Sequence, residues 1–514
     1  MSFKSKPSNV RVVEPPSLSA PGDESFPNPR ALLASRNAVP HATEQIRHGV
    51  VATTGRSQVP VANAYGYLTH VDRCAEKDLE RDAKMAFIYF IGTYKPIICG
   101  IGDYIDFITR VSPAAGWGVL SFDLESYGIP LATDERLVTD RVWYGIPSRH
   151  DFSAAVIQVG VRELGAKKVD PVLWFQHEFG IWPDNMKFVA MLKNLDIPKV
   201  ITFHTLHFQS TETSTGLRKE QYDLLAILLP HVEAITVFSR GVYHAVTSAF
   251  PEYREKVYIV KHGVHSYPGI NRLSRKEAKE KLNDFLLYES ELDQETKEIL
   301  HKQRIFLDSG TAVIGQTGFL TPSKGSELLY RVRDSLQKAI PHRRIAAIRI
   351  GSPRDKSQET YAEKLQGIQN GRDSFLFELR LPENILPLAQ RAFDVNFYWP
   401  RDCTQSGVLA HALGAGAVVA GRDLEGVGET LKEAGGLTDT DLKVLMMKIQ
   451  EIILKPELVA RIEERALSYA AKFSWDNQAR SHYELAEHIL PPVPIKLALS
   501  PPVTIDTMAI LATN

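Results

Sequence analysis

Short runs of consecutive apolar residues recur along this chain, and helical patterns separate them. Five runs lie in the first half of the sequence, at 84–94, 171–179, 199–204, 234–239 and 257–263. A continuous apolar run of this length is typical of a strand that is buried on both faces of a sheet. Because such strands alternate with helices, the sequence predicts an α/β fold with a doubly wound parallel sheet.

A second series of the same kind follows a charged segment. Residues 274–304 have a charged, helical pattern that predicts no strand. Apolar runs then return at 311–319, 343–351, 373–379, 395–400 and 417–421. A chain of 514 residues is also too long for one hydrophobic core. The sequence therefore predicts two Rossmann-like, doubly wound parallel-sheet domains.

These patterns divide the chain into six segments. They are an irregular Pro- and Ser-rich N-terminal arm (1–80), an N-terminal Rossmann-like domain (81–268), a charged helical connector (269–306), a C-terminal Rossmann-like domain (307–473), a C-terminal helix that crosses back (474–490) and a Pro-rich tail (491–514). The arm and the tail are the candidate segments for assembly into a homo-oligomer.

Composition argues against several classes of function. The 60 basic and 61 acidic residues give a net charge of -1, which disfavours a nucleic acid or an acidic membrane held by bulk charge. Three cysteines, at 74, 99 and 403, have no disulfide or zinc spacing. No apolar segment approaches the ~18–20 residues that span a bilayer, and the N-terminus lacks the apolar core of a signal peptide. We therefore expect a cytoplasmic protein with no transmembrane segment.

Polar residues at the predicted strand ends indicate a cleft. Ligands of open parallel sheets bind beyond the carboxyl ends of the strands, and two such domains that face each other enclose a deep cleft. Gln176, His177 and Glu178 end one predicted strand, and His204 and His262 end two others. A single histidine at such a place is more often a structural core residue, but three favour a functional site.

Glycines lead from the first predicted strand into a helix. The segment 95–108 passes through Gly100 and Gly102, where the backbone can approach a ligand and free N–H groups attract an anion. Because position 105 is isoleucine, the segment is not a dinucleotide-binding fingerprint. An ordinary strand–helix turn is the alternative.

A second loop, within 315–336, places Lys324 and Gly325 at the predicted start of a helix. The helix dipole disfavours a positive charge there by roughly 0.3–1 kcal/mol. A lysine in this position indicates an anionic partner such as a diphosphate. The alternative is a solvated surface lysine.

A third segment, 400–429, carries a series of polar residues before a helix that begins near Gly407. Asp402, Thr404 and Ser406 are all good capping residues, and the small residues that follow permit close approach of a ligand. An ordinary capped helix explains one of these polar residues but not all three.

Five motifs resemble, in their order along the chain, those of the retaining glycosyltransferases of family 4, which have the GT-B fold. The first motif resembles that of a subgroup with the sequence QHEFGI. The five motifs are "QHEFGIW", "TFHTLH", "VKHGVH", "GFLTPSKGSELL" and "TQSGVLAHALGAG", and the resemblance covers roughly residues 84 to 490. It implies transfer of a hexose from a nucleotide-diphospho-sugar to a hydroxyl acceptor, with retention of anomeric configuration. We expect no cofactor, and no metal ion is needed if Lys324 and the helix N-termini near Gly102 and Gly407 supply the countercharge. The C-terminal domain would hold the donor, and the N-terminal domain would hold the acceptor.

The resemblance and the predicted cleft together assign candidate site residues. The candidate catalytic residues are His204, Lys324 and Glu178. The candidate donor-binding residues are Gly100, Gly102, Lys324, Gly325, Asp402, Thr404, Ser406 and Gly407. The candidates for the acceptor side of the cleft are Gln176, His177, Glu178 and His262.

Three positions depart from the family pattern. Phe319 stands where members often carry an arginine, and Cys403 and His411 stand where two glutamates often lie. Asp402 is then the candidate for recognition of a sugar hydroxyl. Two alternatives stay open: another nucleotide-sugar enzyme of the epimerase or phosphorylase type, and a catalytically silent GT-B binding or scaffold protein.

Overall fold

The computed structural model describes residues 86–129, 140–165, 170–354 and 356–491. The predicted arm (1–80) lies outside the described residues, as do residues 492–514 of the predicted tail. Within the described residues, strands form two parallel sheets, one of seven strands and one of six. Among these residues, no helix has the length and apolar character that are required to cross a membrane.

The first sheet and its helices form the N-terminal lobe. Its strand order is β3-β2-β1-β4-β5-β6-β7. The strands are β1 (Phe87–Ile91), β2 (Trp117–Phe122), β3 (Val142–Ile146), β4 (Pro171–His177), β5 (Lys199–Phe203), β6 (Ala234–Val237) and β7 (Val257–Ile259). The helices are α1 (Gly100–Val111), α2 (Ala154–Glu163), α3 (Asn185–Lys193), α4 (Lys219–Leu228) and α5 (Arg240–Ala249).

Three helices then lead to the C-terminal lobe, namely α6 (Pro268–Asn271), α7 (Arg275–Asp284) and α8 (Gln294–Gln303). The second sheet has the order β10-β9-β8-β11-β12-β13. Its strands are β8 (Thr311–Thr317), β9 (Arg344–Gly351), β10 (Ser374–Glu378), β11 (Val395–Tyr398), β12 (Val419–Arg422) and β13 (Leu437–Asp439). The helices of this lobe are α9 (Glu327–Ala339), α10 (Glu359–Ile368), α11 (Leu386–Ala392), α12 (Gly407–Gly414), α13 (Glu425–Ala434), α14 (Leu442–Leu454) and α15 (Val459–Lys472), and α16 (Trp475–Ile489) follows.

Most strand residues are apolar because both faces of each sheet are covered. In β1, Tyr89 and Ile91 pack into one core, whereas Ile88 and Phe90 pack into the core on the opposite face. Each of the ten predicted apolar runs coincides with a strand, and the predicted class of two parallel Rossmann-like sheets is confirmed.

The charged connector has an apolar side that covers the second sheet. Leu282 of α7 and Leu300 of α8 are fully buried in one core with Val313 and Ile348 of the sheet. The connector helices are therefore a packed layer of the C-terminal lobe, and Arg275 and Lys279 of α7 pair with Asp394 of that lobe.

The last helix packs on the lobe at the other end of the chain. Trp475, Ala479 and Tyr483 of α16 share a core with Phe90 and Trp174 of the first sheet. Spacing of three to four residues places these side chains on one face of the helix. Helix α16 thus covers a face of the N-terminal lobe although it follows the C-terminal lobe in sequence.

Candidate active site

A cleft of about 1100 Å³ lies where the carboxyl ends of the two sheets meet. Eight of the predicted site residues line it: Gly100, Glu178, His204, His262, Asp402, Thr404, Ser406 and Gly407. The three departures from the family pattern, Phe319, Cys403 and His411, also line it. Both lobes contribute, as binding beyond the strand ends of two facing sheets requires.

Five predicted site residues do not line the cleft directly. Gln176 and His177 are fully buried on β4. Gly102 faces inward, because a Cβ on it would lie 3.4 Å from the backbone of Thr93 and Tyr94. Lys324 and Gly325 are not among the lining residues, although Nζ of Lys324 lies next to Gly318, which is.

His177 is a core residue rather than an acceptor-binding one. Its ring packs against Phe179, Phe188 and Phe203, and neither ring nitrogen has a hydrogen-bond partner among the described residues. Burial lowers the pKa of His177 to about 3, so the imidazole is neutral. Side chains of a strand point alternately to its two faces, so the consecutive polar residues Gln176, His177 and Glu178 do not all reach the cleft.

His204 is a neutral imidazole at the cleft and is held by a buried amide. Oε1 of Gln176 accepts a hydrogen bond from its Nε2 at 2.8 Å, and the Tyr104 ring meets the imidazole edge-on at 5.0 Å. Burial, together with the neighbouring imidazoles of His262 and other histidines, lowers the pKa of His204 to about 3. His204 is therefore suited to hydrogen bonding as a neutral imidazole.

Glu178 and His262 are oriented by their own backbone neighbours. Oε2 of Glu178 accepts from the N–H of Gly180 at 2.6 Å, which leaves its second oxygen for a ligand. Nδ1 of His262 lies 2.8 Å from the carbonyl oxygen of Gly263, and burial lowers the pKa of His262 to about 4.

Lys324 lies at the back of the cleft wall, in a loop that we call the Lys324 loop (residues 318–325). It is in a 3-10 turn, Pro322–Lys324, and α9 begins three residues later. A Cβ on Gly318, which lines the cleft, would lie 2.8 Å from the lysine Nζ. Burial, and secondly the charge of Arg349, lower the pKa of Lys324 to about 8. Its ammonium group has no carboxylate partner among the described residues.

Gly325 has a structural role in this loop. It takes a positive φ of 61°, and a Cβ on it would lie 2.9 Å from the carbonyl oxygen of Trp399. Glycine avoids both the backbone strain and the steric clash. The conformation of Gly325 therefore fixes where Lys324 leaves the backbone.

The polar residues before α12 serve the two lobes in different ways. Asp402 Oδ2 accepts from Nη2 of Arg218 at 2.7 Å, and the hydroxyl of Thr404 donates to the carbonyl oxygen of His204 at 3.1 Å. Both contacts join the C-terminal lobe to the N-terminal lobe. Ser406 caps α12 by accepting from the N–H of Leu409, and the space beside Gly407, the first residue of that helix, is open.

The positions that depart from the family pattern carry no carboxylate. The ring of His411 stacks on that of His265 with centroids 3.9 Å apart, and its Nδ1 bonds with the hydroxyl of Tyr267. Burial lowers the pKa of His411 to about 4. Cys403 donates to the carbonyl oxygen of Gln405 at 2.9 Å. A neutral imidazole stack and a thiol therefore stand where the resemblance predicts two acids.

Two glutamates of α13 hold the lobes together, and the sequence analysis assigned them no role. Glu425 accepts from the N–H groups of Phe208 and Gln209 at 2.9 and 3.2 Å. Glu429 accepts from the N–H groups at the start of α5, those of Arg240 and Gly241, at 2.9 and 3.1 Å. We call these two carboxylates the α13 latch. The sequence feature that indicates a shared role is their spacing of four residues, which places both on one face of a helix.

The described residues contain no cluster of three or more histidine, cysteine, aspartate or glutamate side chains arranged to hold a metal ion. The acidic residues of the cleft wall come from both lobes, Asp103 and Glu178 from one and Glu383 and Asp402 from the other. Asp402 is engaged by Arg218.

Two facing parallel-sheet lobes with a ligand-sized cleft between their strand ends define the GT-B fold. Similar crystal structures include Anabaena Alr3699/HepE in complex with UDP, with a TM-score of 0.55 and 16% identity, and in complex with UDP-glucose, with 0.54 and 16%. A UDP-forming alpha,alpha-trehalose-phosphate synthase from Burkholderia xenovorans has a TM-score of 0.54 and 12% identity. Each likeness covers 79% of this chain and 100% of the other chain. No protein-family model and no curated protein match the sequence.

Proposed function

We propose that this protein is a glycosyltransferase that moves a hexose from a nucleoside-diphosphate sugar to a hydroxyl acceptor, with retention of configuration and without a metal ion. The observation that carries the proposal is the position of Lys324. Its ammonium group, which has no carboxylate partner in the described part of the chain, lies against Gly318 at the cleft wall, on the C-terminal lobe.

Several groups complement a departing diphosphate. Helix α12 begins at the cleft with Gly407, and α1 begins there with Gly100, so both present free backbone N–H groups. Positive charge and helix N-termini stabilise the negative charge that develops on a leaving phosphate. HepE, whose structure is similar, has been crystallised with UDP and with UDP-glucose, and this supports a uridine diphosphate sugar as the donor.

A front-face mechanism does not require a glycosidase-type pair of acids. Enzymes of that type need two carboxylates on either side of the scissile bond. The cleft wall has Asp103 and Glu178 on the N-terminal side, whereas Glu383 and Asp402 on the C-terminal side pair with Arg110 and Arg218. In this proposal the leaving phosphate accepts the proton of the acceptor hydroxyl. Neutral His204 hydrogen-bonds a sugar hydroxyl, and Glu178 binds the acceptor. Closure of the lobes excludes water, which would otherwise hydrolyse the donor.

One observation favours a second candidate, a silent sugar-nucleotide-binding protein. Cys403 and His411 replace the two acids of the family pattern, and both are engaged in contacts of their own. Such a protein would bind the donor and transfer nothing.

A thermal-shift screen against UDP-, GDP- and ADP-sugars tests donor binding, because a ligand that binds only the folded state raises its apparent stability. Product analysis with the stabilising donor then separates the candidates. We expect stabilisation and slow release of free sugar from the donor. Stabilisation with no turnover in the presence of any sugar acceptor favours the silent protein, and no stabilisation by any nucleotide sugar overturns both.

A further inference from the structure

Arg349 of β9 is a buried cation with no carboxylate partner among the described residues. Its side chain is 0% exposed. The guanidinium group donates only to uncharged oxygens: Oγ of Ser326 (2.9 Å) and the carbonyl oxygens of Gln316 (3.3 Å), Ile350 (2.5 Å), Gly318 (2.8 Å) and Phe319 (2.8 Å). A buried charge without a counter-ion is costly, so its retention calls for a use of the positive charge.

Other buried arginines of this lobe are neutralised. Arg333 lies 2.8 Å from a carboxylate oxygen of Asp373, and Arg391 lies 2.8 Å from one of Glu463. These pairs show that the lobe supplies carboxylates where an arginine has a structural role. Arg349 is different because its N–H groups have hydrogen-bond acceptors, but none of these acceptors carries a negative charge.

The guanidinium group lies directly behind the cleft wall. It holds the carbonyl groups of Gly318 and Phe319, and both of these residues line the cleft. The ammonium group of Lys324 lies against the same glycine. Two cations therefore flank one short piece of the cleft wall, and an anion that binds there relieves their mutual repulsion.

We propose that Arg349 is the second positive charge of the donor site and makes the cleft select a diphosphate over a monophosphate. It is a positioning residue, because it holds the Lys324 loop and acts on the ligand through its electric field. It supplies the charge that position 319 lacks, where the sequence has phenylalanine. This inference rests on the proposed function, because it concerns the phosphates of the same donor.

Calorimetric titration with UDP and with UMP at pH 7 tests the selection. In Arg349→Gln, which keeps an amide donor but no charge, we expect UDP affinity to fall about 10- to 30-fold and UMP affinity about threefold. Arg349→Lys keeps the charge and should retain most of the discrimination. Arg344→Gln is the matched control: Arg344 begins the same strand, pairs with Asp373 and does not line the cleft, so both affinities should stay unchanged.

The pH dependence of UDP binding separates an electrostatic role from a structural one. In the wild-type protein, affinity should fall as the pH rises through about 8, where Lys324 loses its proton; the groups that act on its charge are Arg349, which lowers its pKa, and the thiol of Cys403, which raises it. Loss of the arginine charge should move this fall to higher pH, whereas simple loosening of the loop would leave it in place.

The outcomes distinguish the two proposals. A folded Arg349→Gln variant with the wild-type UDP-to-UMP ratio and pH midpoint overturns the role of Arg349 and leaves the proposed function intact. If Arg349→Gln does not fold, loss of discrimination in folded Arg349→Lys overturns it instead. A wild-type protein that binds no nucleotide diphosphate overturns the proposed function itself.

Discussion

Removal of the Glu429 carboxylate should weaken the contact between the lobes. Glu429 lies 2.6 Å from Nζ of Lys261, a side chain that is only 2% exposed, and it also accepts the two N–H groups at the start of α5. Breaking a buried ion pair from one side costs about 3–5 kcal/mol because the other charge stays buried. Glu433, 3.3 Å from the same Nζ, offsets part of this loss. We therefore expect Glu429→Ala to lower the free energy of unfolding by about 2–4 kcal/mol.

Urea unfolding, followed by far-UV circular dichroism and tryptophan fluorescence, measures this change. Glu429→Gln keeps an acceptor oxygen without the charge and should lose about half as much. Asp223→Ala is the control, because Asp223 forms an exposed pair with Lys219 on a helix surface and should change stability very little. A Glu429→Ala curve that coincides with the wild-type curve would refute the assignment of the α13 latch.

The latch also has a predicted pH dependence. Burial raises the pKa of Glu429, but Lys261 and the N–H groups of Arg240 and Gly241 outweigh it, so the net pKa is lowered from 4.5. A carboxylate with a lowered folded-state pKa stabilises the protein above its unfolded-state pKa. Its contribution should therefore be complete above about pH 4.5 and be lost as the pH falls further, and Glu429→Ala should lack this acid-dependent component.

Two further predictions concern the core and the cleft wall. His177→Phe should leave the free energy of unfolding unchanged or raise it by about 1 kcal/mol, because it removes two unpartnered buried nitrogens from an aromatic cluster. The pKa of His177 falls from 6.5 to about 3 on folding. In urea titrations, the free energy of unfolding of the wild-type protein should therefore contain a component that decreases as the pH falls below 6.5, and the variant should lack this component. Gly351→Ala would place a Cβ 1.9 Å from the carbonyl oxygen of Gly318, so UDP affinity measured by calorimetry should fall at least about tenfold through displacement of the Lys324 loop. Gly367→Ala in α10, where a Cβ meets nothing within 4 Å, should keep UDP affinity and raise the free energy of unfolding by about 0.5–1 kcal/mol. Equal UDP affinities in the two glycine variants would contradict the close approach of Gly351 to the carbonyl oxygen of Gly318.

The strands that were predicted are those that coincide with a long apolar run of the sequence. The missed strands lack an unbroken apolar run: Gly118 and Ser121 interrupt β2, most of the edge strand β3 is only partly buried, and β13 has three residues, Leu437–Asp439. These three segments are strands because β2 pairs with β1, β3 pairs with β2 and β13 pairs with β12, in each case across an intervening stretch of chain. Single-sequence periodicity contains no information on such pairing.

The candidate site was predictable where a residue follows a strand and faces outward. His204 and Glu178 line the cleft for that reason, whereas His177, next to them in sequence, points into the core. Arg349 gave no signal, because an arginine within an apolar run resembles a partly exposed strand residue. Its importance depends on which carbonyl groups the fold brings to its guanidinium group, and that arrangement exists only in three dimensions.

The most direct test of the proposed donor site is calorimetric titration of the wild-type protein and of Lys324→Ala with UDP at pH 7, below the lysine pKa of about 8. The wild-type protein should bind, and the variant should bind at least about 30-fold more weakly with an unchanged circular dichroism spectrum, because it lacks the ammonium group beside Gly318. Equal affinity in the two proteins would contradict the role of Lys324, and no binding by the wild-type protein would contradict the donor site as a whole.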